Sequence, residues 1–172
     1  GPLSGAEIRV FEITDLDTPI IGPLVANRSL IDVEAAGSFD LPLEDIPEDT
    51  WLLVTATGGQ DIDVDDDGVV DDEPTSNAGT IHAVARASDW NAGGKTINVL
   101  SNIAWREVAA RVEAGDVDDL ADRLDWVAQV LLDSPLGENE AVSRDDLTRF
   151  RPSDRSHQSA LSVSPAELEP II

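Results

Sequence analysis

Trp51-Leu52-Leu53-Val54-Thr55-Ala56-Thr57-Gly58-Gly59 is the stretch on which the fold turns. Its residues are mostly apolar or β-branched, none is charged, and paired glycines close it. Such a run, short and bounded by a turn signal, predicts a central β-strand. Neighbouring segments support a sheet around it. Glu7-Ile8-Arg9-Val10-Phe11-Glu12-Ile13 alternates polar and apolar residues, the period-two pattern of a half-buried strand. Ser29-Leu30-Ile31-Asp32-Val33-Glu34 reads as a further strand, with Ala36-Gly37 as a turn after it. Ser38-Phe39-Asp40-Leu41-Pro42-Leu43 alternates again, with Phe39, Leu41 and Leu43 on one face. Pro42 has no N–H to give a ladder, so that strand is expected at an edge or to end there. Gly79-Thr80-Ile81-His82-Ala83-Val84-Ala85-Arg86 is the fifth alternating stretch. Short strands separated by turn signals predict a small β-sandwich over residues 6–90.

Beyond Gly93-Gly94 the period changes. Ile97, Leu100, Ala104, Val108 and Val112 recur at steps of three and four, one apolar stripe on a helix that Gly115 closes. Asp116, Asp118 and Asp119 crowd the start of a second helix, where carboxylates complement the helix dipole. Its stripe is Leu120, Leu124, Val127 and Leu131, and Ser134-Pro135 stops it. The pair reads as an antiparallel hairpin. A third helix starts at Ser143, with Asp146 in the capping-box position and Leu147 and Phe150 inward. The expected fold class is therefore α+β, with a helical region at 96–160 packed on the β-half and a linker or tail at 161–172. Too small to stand alone, the hairpin is expected to share one core with the strands.

Between the central strand and the fifth stretch lies the densest chemistry in the chain. Residues 61–73 read Asp-Ile-Asp-Val-Asp-Asp-Asp-Gly-Val-Val-Asp-Asp-Glu, eight carboxylates in thirteen positions. Asp63, Asp65 and Asp67 stand two apart and Gly68 follows directly, which permits a sharp turn around an ion. Hard divalent cations take six to eight oxygens at ~2.3–2.6 Å, and alternate carboxylates on a curling loop converge on one point. Val69 would add its backbone carbonyl, Val70 would point inward as an apolar anchor, and Asp71 falls where a water-mediated ligand is common. The twelfth position should be a bidentate Glu but is Pro74. Asp61, Asp72 or Glu73 is left to substitute for it. The plain alternative is a solvated acidic turn. Against it, each carboxylate pair at ~4 Å costs about 1 kcal/mol even in bulk water. The cofactor expected from these residues is calcium.

The global charge points the same way. With 35 acidic and 11 basic residues, the chain carries a formal −24. Such a field repels nucleic acid and anionic membranes and attracts cations. Acidity can also serve solubility alone. There is no cysteine, hence neither disulfides nor thiolate metal sites. No apolar run reaches the ~18–20 residues needed to span a bilayer, so membrane insertion is not expected. Gly1-Pro2-Leu3-Ser4-Gly5 has no structural pattern and resembles a protease-cleavage scar, which implies a fragment of a larger protein. His82 and His157 are far apart in sequence, and a zinc site would need carboxylates to complete it. There is no Gly-x-Ser-x-Gly elbow for a hydrolase. Trp105 and Trp126 fall on amphipathic helices, where a packing role is the expected one. Lys95, the only lysine, lies in a loop, unsuited to an intramolecular isopeptide bond.

Up to its ninth position the acidic loop resembles EF-hand-type loops and the aspartate-rich repeats of thrombospondin type 3. The strands around Gly37–Pro42, Trp51–Gly59 and Gly79–Val84, with the helical stretch from Ile97 to Ala104, resemble a prealbumin-like (transthyretin-like) or carboxypeptidase-regulatory-like β-domain of bacterial surface and adhesin-like proteins. The resemblance covers residues 6–132. It implies a non-catalytic, calcium-binding structural or adhesion module, secreted or at the cell surface, whose partners are calcium and neighbouring modules or a surface protein. The other reading is a protein-partner-binding module of the dockerin-like assembly kind. A second aspartate-rich loop, which the resemblance also suggests after the helices, is not matched by Asp133 to Asp146.

Overall fold

The computed structural model describes residues 1–137 and 141–164. Its strands are β1 (Leu3–Ser4), β2 (Glu7–Glu12), β3 (Ile21–Val25), β4 (Trp51–Thr57), β5 (Gln60–Asp61), β6 (Thr75–Ser76) and β7 (Thr80–Arg86). The helices are α1 (Ala87–Asn91), α2 (Val99–Glu113), α3 (Leu120–Leu131), α4 (Arg144–Leu147) and α5 (Arg155–Gln158). The fold is α+β, with two antiparallel sheets followed by helices α2 and α3 packed together. The larger sheet has the order β3-β2-β4-β7, and the smaller one, β1-β5-β6, is built from two-residue strands.

Alternation along the large sheet sends side chains to two apolar layers. Ile8, Val10, Leu52, Val54, Ala56, Ala83 and Ala85 face one of them; Phe11, Leu53 and Val84 face the other. The second layer is completed by Leu100, Ala104 and Val108 of α2 and by Leu120, Leu124, Val127 and Leu131 of α3, with Leu147, Phe150 and Ala160 behind. These are the predicted helix stripes. Residues of the sheet and of the helices line this one layer together. A fully buried Leu or Val contributes about 1.5–3 kcal/mol, so the helices bind the sheet firmly. The first layer is covered by Phe39, Leu41, Leu43 and Ile46, all in coil, and by Trp90 of α1.

That coil corrects the strand assignment and, with it, the simple sandwich. Residues 29–34 and 38–43 form no strand. In and just after the first of these segments, N–H groups are taken by nearby side chains: Ser29 N–H by Asn27 Oδ1 (2.9 Å), Glu34 and Ala35 N–H by Asp32 Oδ1 (3.0 and 3.2 Å). Asn and Asp compete with sheet ladders in this way. Phe39, Leu41 and Leu43 do share a face, but as a cover over the sheet rather than as a second sheet. The outer strand is instead β3, which pairs antiparallel with β2 from Glu7↔Val25 to Val10↔Ile21 across an irregularity. Gly22 sits there at φ 111°, where a Cβ would lie 2.7 Å from the Ile8 carbonyl oxygen, so only glycine fits.

The opposite edge, β7, is closed by side chains of α2. Asn102 Oδ1 accepts the His82 N–H at 3.1 Å and meets His82 Nδ1 at 2.9 Å, while Ser101 Oγ donates to the His82 carbonyl at 2.8 Å. The His82 ring also stacks on Trp105, with centroids 5.7 Å apart. Two further segments expected to be unstructured are held. Leu3–Ser4 pairs with Gln60–Asp61. The expected linker at 161–172 starts with packed residues: Leu161 bridges Leu132, and Ser162 N–H donates to the Leu131 carbonyl at 2.9 Å. Residues 165–172 of that linker lie outside the described residues.

The connection between the halves is pinned by Thr96, whose Oγ1 donates to the Phe150 carbonyl at 2.8 Å, and by Asn98, whose Nδ2 donates to the Leu147 carbonyl at 2.9 Å. The side chain of Lys95, the only lysine, is 2% exposed and ion-paired with Asp145. Burial pushes its ammonium down to about 8, Arg149 adding to the effect while Asp89 and Asp146 oppose it. Because the folded state holds this proton less tightly than the unfolded chain, stability rises with pH between about 8 and the ordinary value of 10.5. Lys95→Met is expected to remove that rise and to stabilise the fold by about 2 kcal/mol at neutral pH, since Asp145 keeps Arg149 as a partner at 2.7 Å. Urea melts of both proteins across this pH range check it; parallel curves would contradict it.

Candidate metal centre

The acidic loop hangs from β5 and returns through β6. Ile62, fully buried, anchors it, and the Asp71 N–H donates to the Ile62 carbonyl at 2.8 Å to close its base. This corrects the expected anchor: Val70 is only half-buried. Ile62 was legible as the apolar partner in the alternation of Asp61, Ile62 and Asp63.

Inside this frame Asp63 is 0% exposed. One of its carboxylate oxygens accepts the Asp67 N–H at 3.0 Å and the other the Gly68 N–H at 3.2 Å. The chain therefore curls around Asp63. Gly68 makes the curl possible at φ 85°, and Asp66 also takes a left-handed conformation at φ 55°, which aspartate tolerates better than most residues. Asp67 Oδ1 accepts the Val69 N–H at 2.8 Å, tightening the exit. The outcome is convergence: carboxylate oxygens of Asp63, Asp65 and Asp67 all lie within 4.8 Å of one another. Asp65 and Asp67 are exposed, so the cluster opens to solvent.

The remaining expected ligands are placed differently. Asp71 Oδ2 accepts the Val64 N–H at 2.7 Å. Asp61 Oδ1 accepts the Asp63 N–H at 3.1 Å, and its Oδ2 lies 3.0 Å from the amino group of Gly1. Asp72 and Glu73 are exposed and stand outside the converging group. Val69 projects its side chain into solvent.

Sequence reading passed over Asp66, which forms the other half of the amino-terminal pairing, 2.9 Å from the Gly1 nitrogen. Burial raises its carboxyl above the ordinary range; the amino group opposes the rise, and Asp63 and Asp61 add to it. The Gly1 amine is itself opposed by burial, but Asp66 and Asp61 outweigh that and raise it. The C-terminal segment reaches the loop as well. Gln158 Nε2 donates to the Asp66 carbonyl at 3.0 Å, and the Ser153 carbonyl lies 3.3 Å from where a Cβ on Gly68 would be. No sequence signal announced that contact.

The converging donors are carboxylate oxygens, the chemistry of calcium or magnesium rather than of zinc or copper. Three carboxylates at this spacing fit a hard cation. Among the described residues no other group of carboxylates and histidines converges in this way, and no helix is long and apolar enough to cross a membrane. Comparison of the chain with models of protein families, with curated proteins and with solved structures found no match.

Proposed function

We propose that this chain is a non-catalytic calcium-binding module of a secreted or cell-surface bacterial protein, structural or adhesive in role. The observation that carries this reading is the convergence of Asp63, Asp65 and Asp67 on a turn whose backbone already curls around the buried Asp63. In this reading the Val69 carbonyl and Asp71, through a water, extend the shell. Asp61, Asp72 or Glu73 makes up for Pro74 at the twelfth position. Calcium would add positive charge where the loop carries an excess of negative charge, and would stiffen the base of β5 and β6. The β-half is read as a transthyretin-like domain in which coil has taken the place of most of the second sheet.

Isothermal titration with calcium tests this. A dissociation constant on the order of 10⁻⁵ to 10⁻⁴ M is expected, weaker than a full EF-hand because the bidentate Glu is missing. Asp65→Asn, which removes one exposed ligand, is expected to weaken binding about tenfold, a loss of ~1.4 kcal/mol. Absence of any heat at millimolar calcium would sink the proposal. A hydrolase screen that found turnover on esters, glycosides or peptides, lost with one point mutation, would overturn the non-catalytic part.

A second reading, a partner-binding module of the dockerin-like kind, is favoured by one observation. Leu30, Ile31, Val64 and Val69 are exposed apolar residues on two loops, one of them the acidic loop itself.

A further inference from the structure

Exposed apolar side chains are usually scattered singly and mean little. Here two loops bring several together. Ile31 and Val33 on one side, and Gly68, Val69 and Val70 on the other, line a shallow saddle. Ile31 is 90% exposed and Val69 63%. The loop that carries Ile31 is bonded within itself: the Ile31 N–H donates to Ser29 Oγ at 3.4 Å, and Asp32 accepts the N–H groups of Glu34 and Ala35. Neither side chain has a task within the fold. Asp32 and Glu34 stand in the wall of the saddle itself, and the acidic loop continues from Gly68.

Charge decides what can lie there. A second copy of a chain with net charge −24 would bring the same sign to the same surface, and nucleic acid or an anionic membrane would do likewise. The complement is a protein segment in which apolar side chains alternate with Lys or Arg. We propose that the saddle between Ile31 and Val69 docks such a cationic, apolar segment of a partner protein. The inference rests on the partner-binding reading of this end of the molecule and does not require the ion. The apolar side chains anchor and the acidic rim steers, the usual division of labour at an interface.

Fluorescence anisotropy at physiological ionic strength tests it with two labelled peptides, one alternating Lys and Leu and the other Lys and Ser. The Lys–Leu peptide is expected to bind about tenfold more tightly, a gain of ~1.4 kcal/mol. The double variant Ile31→Ser, Val69→Ser is expected to reduce it to the level of the Lys–Ser peptide without changing the melting temperature. Trp126→Ser, which removes an exposed side chain on α3, should leave both affinities as they were. If Trp126→Ser abolishes the difference and the double variant does not, the saddle is overturned while partner binding stands. Equal affinities for the two peptides overturn both. So does sedimentation showing a dimer that the double variant dissolves, because the occupant is then a second copy. Repeating the series in EDTA and in calcium separates this outcome from that of the metal titration.

Discussion

Saturating calcium is expected to raise the melting temperature by roughly 5–11 °C over its value in EDTA, and magnesium to raise it much less. The carboxylates of Asp63, Asp65 and Asp67 approach within 4.8 Å of one another. The folded state therefore carries unrelieved repulsion that a divalent cation removes. At about 1 mM free calcium and a dissociation constant of ~10⁻⁵ M, linkage supplies about 2.7 kcal/mol. For a chain of this length each kcal/mol moves the midpoint by roughly 2–4 °C. Magnesium demands a tight octahedron and gives up its waters reluctantly, whereas calcium accepts an irregular shell. Thermal melts in EDTA, calcium and magnesium decide the matter; identical midpoints would mean a solvated acidic turn. Asp65→Asn is the cleaner companion variant. Asp63→Asn would also disturb the turn that Asp63 organises, and so would lower the midpoint even without metal.

The second large effect concerns Asp146, and it is unconnected with any ion. Asp146→Ala is expected to cost about 4 kcal/mol, or roughly 8–16 °C in melting temperature. The carboxylate is 0% exposed and accepts three backbone N–H groups, from Leu136 at 2.8 Å, Gly137 at 3.1 Å and Ser143 at 2.9 Å. It thus ties the segment after α3 to the start of α4. Alanine would strand these donors, at about 1–3 kcal/mol for each one left unsatisfied and buried. Asp146→Asn keeps one acceptor oxygen but turns an amide toward the other donors, and should cost about half as much. Chemical denaturation of the three proteins checks the order. A loss below ~1 kcal/mol for Asp146→Ala would mean that water replaces the carboxylate.

Helices were the more legible half of this chain. The stripes of α2 and α3 come from repeating apolar residues, and the Ser143–Asp146 pairing marks the start of α4, because helical periodicity and capping are local. Strands were legible from alternation in β2 and β7 and from a continuous apolar run in β4. Phe39, Leu41 and Leu43 show the failure: alternation reports which face is buried, not whether a neighbour accepts the N–H groups. Nearby Asn27 and Asp32 had already claimed those of the preceding segment. Conversely, Gly22 and Pro23 hid β3 behind two residues that ordinarily interrupt strands. At the candidate centre, the spacing of Asp63, Asp65 and Asp67 foretold their convergence. Where Asp61 and Asp71 turned was not foretold, because it depends on Gly1 and on Val64, set by tertiary placement and by the way the loop closes on itself.

The reach of Gln158 to the Asp66 carbonyl has a consequence for the chain as a machine of coupled parts. A residue of α5 touches the turn on which the ion would sit, although 92 positions separate the two in sequence. Free energy exchanged at such a junction is reciprocal. Whatever factor metal occupancy adds to the docking of α5, an undocked α5 subtracts from metal affinity. Cutting the chain after Phe150 would then weaken the hold of the turn on any cation bound there, without touching a ligand.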